Sequence, residues 1–174
     1  MVAVLKKEPA ISGVSAVAES EIMTVYPSVA CTGLGRLMGR LYESVPLRIF
    51  GIKLSYLLFV PFGAPLGALG YLLLKLTGER YVLTNRAVQR QKALGSNKLA
   101  QVLLADLDQV VEHQGPGQVF YHASDLHLLN AKGERVLLLA GVPHAAIFRQ
   151  TIVEARDARK QVASALETIR SRRE

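Results

Sequence analysis

Several residue types and patterns that would indicate a particular chemistry are scarce or missing in this sequence. Its 174 residues include one cysteine, Cys31, so no disulfide can form within the chain. The net charge is +7, a basic balance that suits either nucleic acid or an anionic lipid surface. Because the chain has no Lys/Arg-rich helical stretch and no aromatic RNA-binding motif, we predict no nucleic-acid partner.

Residues that hold metals or perform catalysis are also sparse, and their spacing is unfavourable. The four histidines, His113, His122, His127 and His144, include no pair at the i, i+4 spacing of a helical zinc motif. No cysteine lies near them in the sequence. Carboxylates in the predicted loops are more typical of a solvated surface than of an acid–base pair. The sequence therefore predicts no catalytic residue, no cofactor and no metal site, and a protein that is not an enzyme.

The first part of the chain lacks the long apolar core of a signal peptide. Small residues, serine and glutamate predominate there, so we predict a flexible tail over 1–23. Over 24–46, Leu34, Leu37 and Leu41 recur at helical spacing. This pattern predicts an amphipathic helix on a membrane surface; the alternative is an ordinary helix packed on a soluble domain.

The longest apolar run, LSYLLFVPFGAPLGALGYLLL, covers 54–74 and contains no charged residue. As a helix it would be about 31 Å long, enough to cross the hydrocarbon core of a bilayer. Core helices of soluble proteins rarely reach this length without a charge, so we predict a membrane-embedded segment over 47–76. Basic residues stand close to both ends of it, namely Arg48, Lys53, Lys75 and Arg80.

Two arrangements of this run are open. Pro61, Gly63 and Pro65 are able to turn the chain halfway, and similar basic flanks fit two ends on one side of the membrane. This favours a re-entrant helical hairpin. Against it, a turn inside lipid leaves backbone hydrogen bonds unmet, whereas proline is tolerated within a true span. A hairpin in one leaflet and a single kinked span both remain.

After Lys75 the hydrophobic period changes to two, with short turns. RYVLTN, AVQRQKAL, ASDLHLLN and RVLLLAG each predict a strand, and KLAQVLLADLDQVVEHQ predicts two strands broken near Asp106. A helix is predicted from about Pro143, with an apolar stripe that includes Phe148 and Ile152. Closely spaced strands joined by tight turns favour a small antiparallel sandwich or barrel, capped here by the C-terminal helix.

The stretch GERYVLTNRAVQRQKAL resembles the opening hairpin of the bacterial pleckstrin-homology-like (PH-like) domain family. Members of that family commonly read Tyr-x-Leu-Thr-Asn-Arg-Arg-Val just after a membrane segment. Ala87 departs from the usual basic residue. The break at Asp106 and the Gly-Val-Pro entry to the last helix also resemble the family, over about 76–160. The matching hairpin residues are Tyr81, Leu83, Thr84, Asn85, Arg86 and Val88.

The resemblance implies an α+β fold and a location. The fold is a PH-like antiparallel β-barrel or sandwich over 77–174 with a C-terminal helix, preceded by the membrane helix or hairpin. The location is the bacterial inner membrane, with the domain on its cytoplasmic side. The family carries no catalytic signature, and the role of most members is unknown.

We therefore expect a non-enzymatic binding or scaffolding module at the membrane surface. The alternative is an accessory subunit of a larger membrane complex, docked through the PH-like domain and the C-terminal helix. Expected partners are anionic lipid head groups and either another protein or a second copy of the chain. The candidate lipid contacts, all around the first hairpin, are Arg86, Arg90, Lys92 and Lys98.

Overall fold

A computed structural model of the protein describes residues 19–44, 48–49, 51–95 and 97–172. These residues form an α+β fold, as predicted. In chain order its elements are β1 (Glu21–Val25), α1 (Gly33–Glu43), β2 (Arg48–Ile49), β3 (Ile52–Lys53), α2 (Leu54–Thr77), β4 (Glu79–Thr84), β5 (Ala87–Lys92), β6 (Lys98–Leu103), β7 (Gln109–His113), β8 (Ala123–Leu129), β9 (Arg135–Pro143) and α3 (Ala145–Ser171). Short 3-10 turns lie at Val29–Cys31 and Val119–Tyr121.

The first sheet is antiparallel and has the strand order β1-β4-β5-β6. Its central hairpin, β4–β5, turns at Asn85 and Arg86, where the sequence predicts a turn. The Thr84 hydroxyl accepts hydrogen bonds from the backbone N–H groups of Arg86 and Ala87, at 3.3 and 3.0 Å. Side-chain bonds of this kind stabilise tight turns. The family-like residues of this hairpin thus have a structural role here.

Strand β1 corrects the prediction of a flexible tail, which is wrong for residues 21–23. Met23 pairs with Leu83 and Val25 with Tyr81, so β1 satisfies backbone groups along the edge of β4. Val25 is buried in the core. The sequence of β1, EIMTV, does not alternate apolar with polar residues, so it carries no strand pattern. The rest of the predicted tail, up to residue 18, lies outside the described residues.

The second sheet has the order β7-β8-β9, also antiparallel. The chain leaves β6 at Leu103 and enters β7 at Gln109, so the predicted break near Asp106 is confirmed. Both sheets and α3 share one core, to which α3 contributes Phe148 and Ile152. The predicted barrel is not closed, because no strand pairing joins the two sheets in the described residues.

Tyr81 connects the two sheets without strand pairing. Its hydroxyl donates to the carbonyl oxygen of Ala140 at 3.0 Å and accepts from the N–H of Ala140 at 3.1 Å. The side chain is almost completely buried, and burial raises the pKa of Tyr81 well above its usual value. The neutral hydroxyl therefore serves as a fixed bridge across the open side of the sandwich.

Helix α2 is continuous from Leu54 to Thr77, with Pro61 and Pro65 inside it. Of the two arrangements left open by the sequence, the helical hairpin is therefore wrong. The two prolines are four residues apart and lie on one face, so the backbone bonds they remove are confined to that face. With 24 residues, α2 is about 36 Å long.

The boundaries predicted before α2 are also corrected. Among the described residues of the predicted helix over 24–46, only Gly33–Glu43 is α-helical, because β1 and the 3-10 turn occupy its beginning. The predicted embedded segment over 47–76 starts with the small β2–β3 hairpin rather than with helix. Gly51 supplies the positive φ of 82° that this turn requires.

Candidate membrane-binding face

Helix α1 lies on the domain through its glycines. A Cβ on Gly39 would overlap the carbonyl oxygen of Gly117, and a Cβ on Gly35 would overlap that of Val29. Gly117 has a positive φ of 80° and approaches the α1 backbone equally closely. Only residues without a side chain allow this approach. The GLGRLMGR spacing therefore reflects a packing surface.

A buried polar cluster fixes α1 in the same position. Arg36 donates from Nη2 to both oxygens of Asp125, at 2.9 and 3.2 Å, and from Nε to the carbonyl oxygen of Ala30 at 2.9 Å. Asp125 Oδ1 also accepts from Gln118 Nε2 at 2.7 Å and from the Gly141 N–H at 2.8 Å. The Asp125 side chain is only 10% exposed. These groups satisfy one another, as buried polar groups must.

The leucines of α1 face away from the domain. Leu34, Leu37 and Leu41 are all exposed, whereas Tyr42 on the opposite side is buried. The helix is thus amphipathic, but its domain-facing side is made of small residues and the Tyr42 ring. Its apolar stripe is left without a partner in the described part of the chain.

One side of α2 lies along α1 near the start of α2. Ser55 is buried, and its hydroxyl donates to the carbonyl oxygen of Tyr42 at 2.5 Å. A little over two turns further along, Gly63 leaves no room for a Cβ beside the Tyr42 hydroxyl and the Met38 methyl group. The Tyr56 ring meets the Phe120 ring edge-on at a centroid distance of 5.4 Å.

The same side of α2 stays in contact with the domain to its other end. A Cβ on Gly70 would lie 3.4 Å from Val29 Cγ1, an ordinary to tight contact. At the last turn, the Lys75 ammonium lies 5.9 Å from the centre of the Tyr26 ring. Helix α2 therefore runs lengthwise along α1 and the preceding turn, with small residues at its contacts.

The rest of α2 is exposed. Only 6% of its most apolar 18-residue stretch is buried, whereas the core helix of a soluble protein is mostly buried. Phe62, in the middle, is 80% exposed. By length and composition, α2 is the one helix in the described residues able to cross a membrane. Its exposed residues include Leu57, Phe62, Leu66, Leu69, Leu72 and Leu76.

The exposed residues of α1 and α2 form one surface, which we call the apolar face. An apolar cleft of about 270 Å³ separates the two helices; Leu34 and Met38 line it from α1, and Leu66 and Leu73 line it from α2. The leucines of both helices therefore border a common opening. We define the apolar face as Leu34, Leu37 and Leu41 of α1 with the six exposed α2 residues named above.

The four candidate lipid contacts do not form one cluster. Arg86 lies at the β4–β5 turn, and Lys92 is six residues away at the other end of β5, about 20 Å along an extended strand. Arg90 pairs with Glu79, and Lys98 pairs with Glu19, each at 3.3 Å. Lys92 is exposed. A role of these residues in lipid binding stays a prediction.

The cations that flank the apolar run occupy different positions. Lys53 stands directly before α2, 5.6 Å from the centre of the Tyr56 ring, and Lys75 lies in the last turn. Arg80 is in β4 and donates to Gln91 Oε1 at 3.0 Å. Arg48 is in β2. Lys53 and Lys75 therefore mark the two ends of the apolar face.

The histidines form two pairs that sequence spacing does not reveal. The rings of His113 and His127 lie 6.1 Å apart, and those of His122 and His144 are stacked at 6.3 Å. No group of three or more metal-ligating side chains occurs among the residues that the structure describes. Cys31 is half-buried, and burial raises the pKa of its thiol.

The apolar face and the open two-sheet sandwich are the features from which a function must be argued. The resemblance to PH-like domains rests on the hairpin residues, the break at Asp106 and the Gly-Val-Pro entry to α3. No family model matches this chain, and no curated protein matches it in sequence.

Proposed function

We propose that the protein is a membrane-anchored PH-like module that binds or scaffolds other molecules and is not an enzyme. In this proposal it resides at the bacterial inner membrane with the sheets in the cytoplasm. The observation that carries it is the apolar face. Contiguous apolar surfaces of more than a few hundred Å² are rare on soluble monomers and mark protein or membrane contacts.

The charges around the apolar face favour a lipid surface. Lys53 and Lys75 stand at the two ends of α2, and no charged residue lies between them. Each cation near an anionic leaflet contributes roughly 1 kcal/mol. Because lysine side chains snorkel, an apolar run with a cation at each end can contact acyl chains while both cations stay among the head groups.

The hydrogen bonds of the buried polar side chains support a scaffolding role. Arg36, Gln118 and Asp125 are the most closely connected polar side chains, and their donors and acceptors are used on one another and on nearby backbone. They position α1 rather than point into an open pocket. The cleft between α1 and α2 is lined almost entirely by apolar side chains.

The alternative is an accessory subunit of a membrane complex, and α3 favours it. This helix has 27 residues and is about 40 Å long. Among the α3 residues whose side chains are described, the last fully buried one is Ile152, and Val162 is exposed. The second half of α3 therefore projects beyond the sandwich and offers a surface for a protein partner.

A flotation assay with vesicles of phosphatidylglycerol and phosphatidylcholine tests the proposal. We expect the full chain to float with the vesicles and the double variant Phe62→Asp, Leu69→Asp to float several-fold less, because charges are costly in the acyl region. Val162→Asp is the matched control, since Val162 is an exposed apolar residue far along α3. It should float like the unsubstituted chain.

Two outcomes contradict the proposal. Equal flotation of the double variant and the control would show that the apolar face does not bind lipid. Failure of the unsubstituted chain to float, with membrane recovery only alongside another protein, would favour the accessory subunit.

A further inference from the structure

We infer that α2 does not cross the bilayer but lies within one leaflet, along the membrane surface, so that both of its ends stay on the same side. This inference rests on the proposed membrane attachment. It goes further by assigning the apolar face as an in-plane contact with an anionic leaflet.

The strands before and after α2 belong to one sheet. β1 ends at Val25, well before α2, and β4 begins at Glu79, two residues after α2 ends. The two strands are paired antiparallel, with Thr24 opposite Val82 and Val25 opposite Tyr81. A continuous backbone ladder cannot form between strands on opposite sides of a bilayer.

Helix α1 belongs to the same folded body. Arg36 forms its ion pair with Asp125 of β8, and the Ser28 N–H donates to the carbonyl oxygen of Gly141 in β9 at 2.9 Å. Gly39 lies against Gly117. The chain is therefore fixed to the domain from β1 to the end of α1, immediately before the segment that leads to α2.

Only residues 44–53 remain to carry the chain across, if α2 spans. Ten fully extended residues reach at most about 36 Å, barely more than the hydrocarbon thickness of about 30 Å. The β2–β3 hairpin, which turns at Gly51, shortens this reach. Backbone outside a helix is not stable against lipid, because its hydrogen bonds are unmet.

The charges of this segment oppose a crossing as well. It contains Arg48 and Lys53. Each cation at the centre of a bilayer costs about 2.5–3.5 kcal/mol on insertion scales. A spanning α2 would thus require the paired strands to separate or a charged, non-helical segment to enter the lipid.

If α2 lies in the membrane plane, the paired strands need not separate and no charged segment has to enter the lipid. One side of the helix contacts the domain from Ser55, against Tyr42, to Lys75, beside Tyr26. Its axis therefore follows the surface of the folded body. The other side of α2 is exposed, and two residues of the apolar face, Leu34 of α1 and Leu66 of α2, line one cleft, so the two helices enter the leaflet together. Interfacial helices sink about 5–10 Å into the boundary of the head groups and acyl chains.

This position also explains the similar basic flanks of the apolar run. Lys53 and Lys75 are then both at head-group level on one side of the membrane. Positive flanks mark the cytoplasmic side, and two of them around one helix fit an anchor that returns to that side.

Cysteine labelling in bacterial membranes tests the inference. Cys31→Ser gives a background without thiols, in which Ile52→Cys, two residues before α2, and Leu94→Cys report the chain before and after α2. Both positions are exposed. With a membrane-impermeant maleimide, we expect both cysteines to react in inside-out vesicles and neither to react in intact spheroplasts. Cys31→Ser alone, without an added cysteine, is the unlabelled control.

The outcomes separate the two claims. Membrane-bound protein with Ile52→Cys and Leu94→Cys labelled from opposite sides would overturn the in-plane position and leave membrane anchoring intact. Recovery of the protein in the soluble fraction after lysis would overturn the proposed function, and the inference with it. Labelling of both cysteines from the same side of the membrane supports the in-plane position.

Discussion

Asp125 receives hydrogen-bond donors from three separate parts of the chain. Arg36 reaches it from α1, Gln118 from the turn before β8 and Gly141 from β9. Removing one partner of a buried ion pair leaves the other charge without compensation and costs about 3–5 kcal/mol. Because the Arg36 side chain is about one-third exposed, we expect a cost near the lower end of this range.

We therefore expect Asp125→Ala to lower the free energy of unfolding by about 3 kcal/mol. Urea titration in mild detergent, followed by circular dichroism, measures this. Asp106→Ala is the matched control, because Asp106 is exposed in the turn after β6 and an exposed substitution of this kind changes stability by at most about 0.5 kcal/mol. Equal unfolding midpoints for the two variants would disprove the role assigned to Asp125.

Glu19 makes the stability of the fold depend on pH in the acidic range. Burial by itself would raise the pKa of this carboxyl, but the Thr84 hydroxyl and the Lys98 ammonium lower it, and the net pKa lies below the usual 4.5. A carboxyl with a lowered folded-state pKa adds stability above its unfolded pKa. That stability is lost as the pH falls through the folded-state value.

Glu19→Gln should accordingly lower the melting temperature at neutral pH, and the difference from the unsubstituted chain should shrink as the pH falls below about 4.5. Melting curves across this range provide the measurement. Glu112→Gln, which replaces an exposed glutamate of β7, controls for the loss of one negative charge. A difference for Glu19→Gln that is the same at every pH would rule out the carboxylate contribution.

Residues close in sequence could be predicted, whereas pairs distant in sequence could not. Thr84 and Asn85 form the expected turn, because the chemistry of that turn is local. Arg36 and Asp125 are 89 positions apart. No periodicity or spacing in the sequence links these two residues, so their ion pair could not be predicted.

At the scale of elements, α1 depends on Gly35 and Gly39, which lie against the backbone of Val29 and Gly117. A Cβ on Gly39 would meet the Gly117 backbone, whereas a Cβ on Gly33, in the first turn of the same helix, would meet nothing within 4 Å. Overpacking of this kind typically costs about 1–3 kcal/mol. The two positions therefore form a matched pair.

We expect Gly39→Ala to destabilise the protein by about 2 kcal/mol and to weaken the hold of α1 on the domain. Gly33→Ala should be neutral or stabilise by up to about 1 kcal/mol, because alanine has the higher helix propensity. Unfolding midpoints and proteolysis near α1 report both effects. If Gly33→Ala is the more harmful of the two, the close approach to Gly117 is not what holds α1.

The length and the lack of charge predicted that α2 exists, but not that it is continuous. Pro61 and Pro65 favour a turn when only local preferences are considered. In the structure, Gly63 lies between them against Met38 and Tyr42 of α1, and contacts along the whole helix keep it extended. The continuity of α2 depends on these tertiary contacts, which the sequence does not reveal. The same is true of β1, because its strand partner is β4.

For the whole molecule, the predicted domain boundary at residue 77 separates parts that fold together. β1 covers the edge of β4, Val25 is part of the core, and α1 supplies the only charged partner of Asp125 among the described residues. The apolar helix α2 is thus an insertion between two pieces of one domain. That arrangement keeps the strands before and after the helix paired in one sheet, so the helix lies along the domain.

A fragment over 78–174 should therefore fail to fold as a stable monomer. It exposes the backbone of β4 as a free edge, which favours aggregation, and leaves Asp125 buried without Arg36. A fragment over 19–174 keeps β1 and α1 and should melt like the full chain in the same detergent. Size-exclusion chromatography and thermal melting distinguish the two. A monomeric 78–174 fragment with a cooperative transition would mean that β1 and α1 are accessory to the sandwich, and the tie between the two ends of α2 would then be too weak to hold them on one side of a membrane.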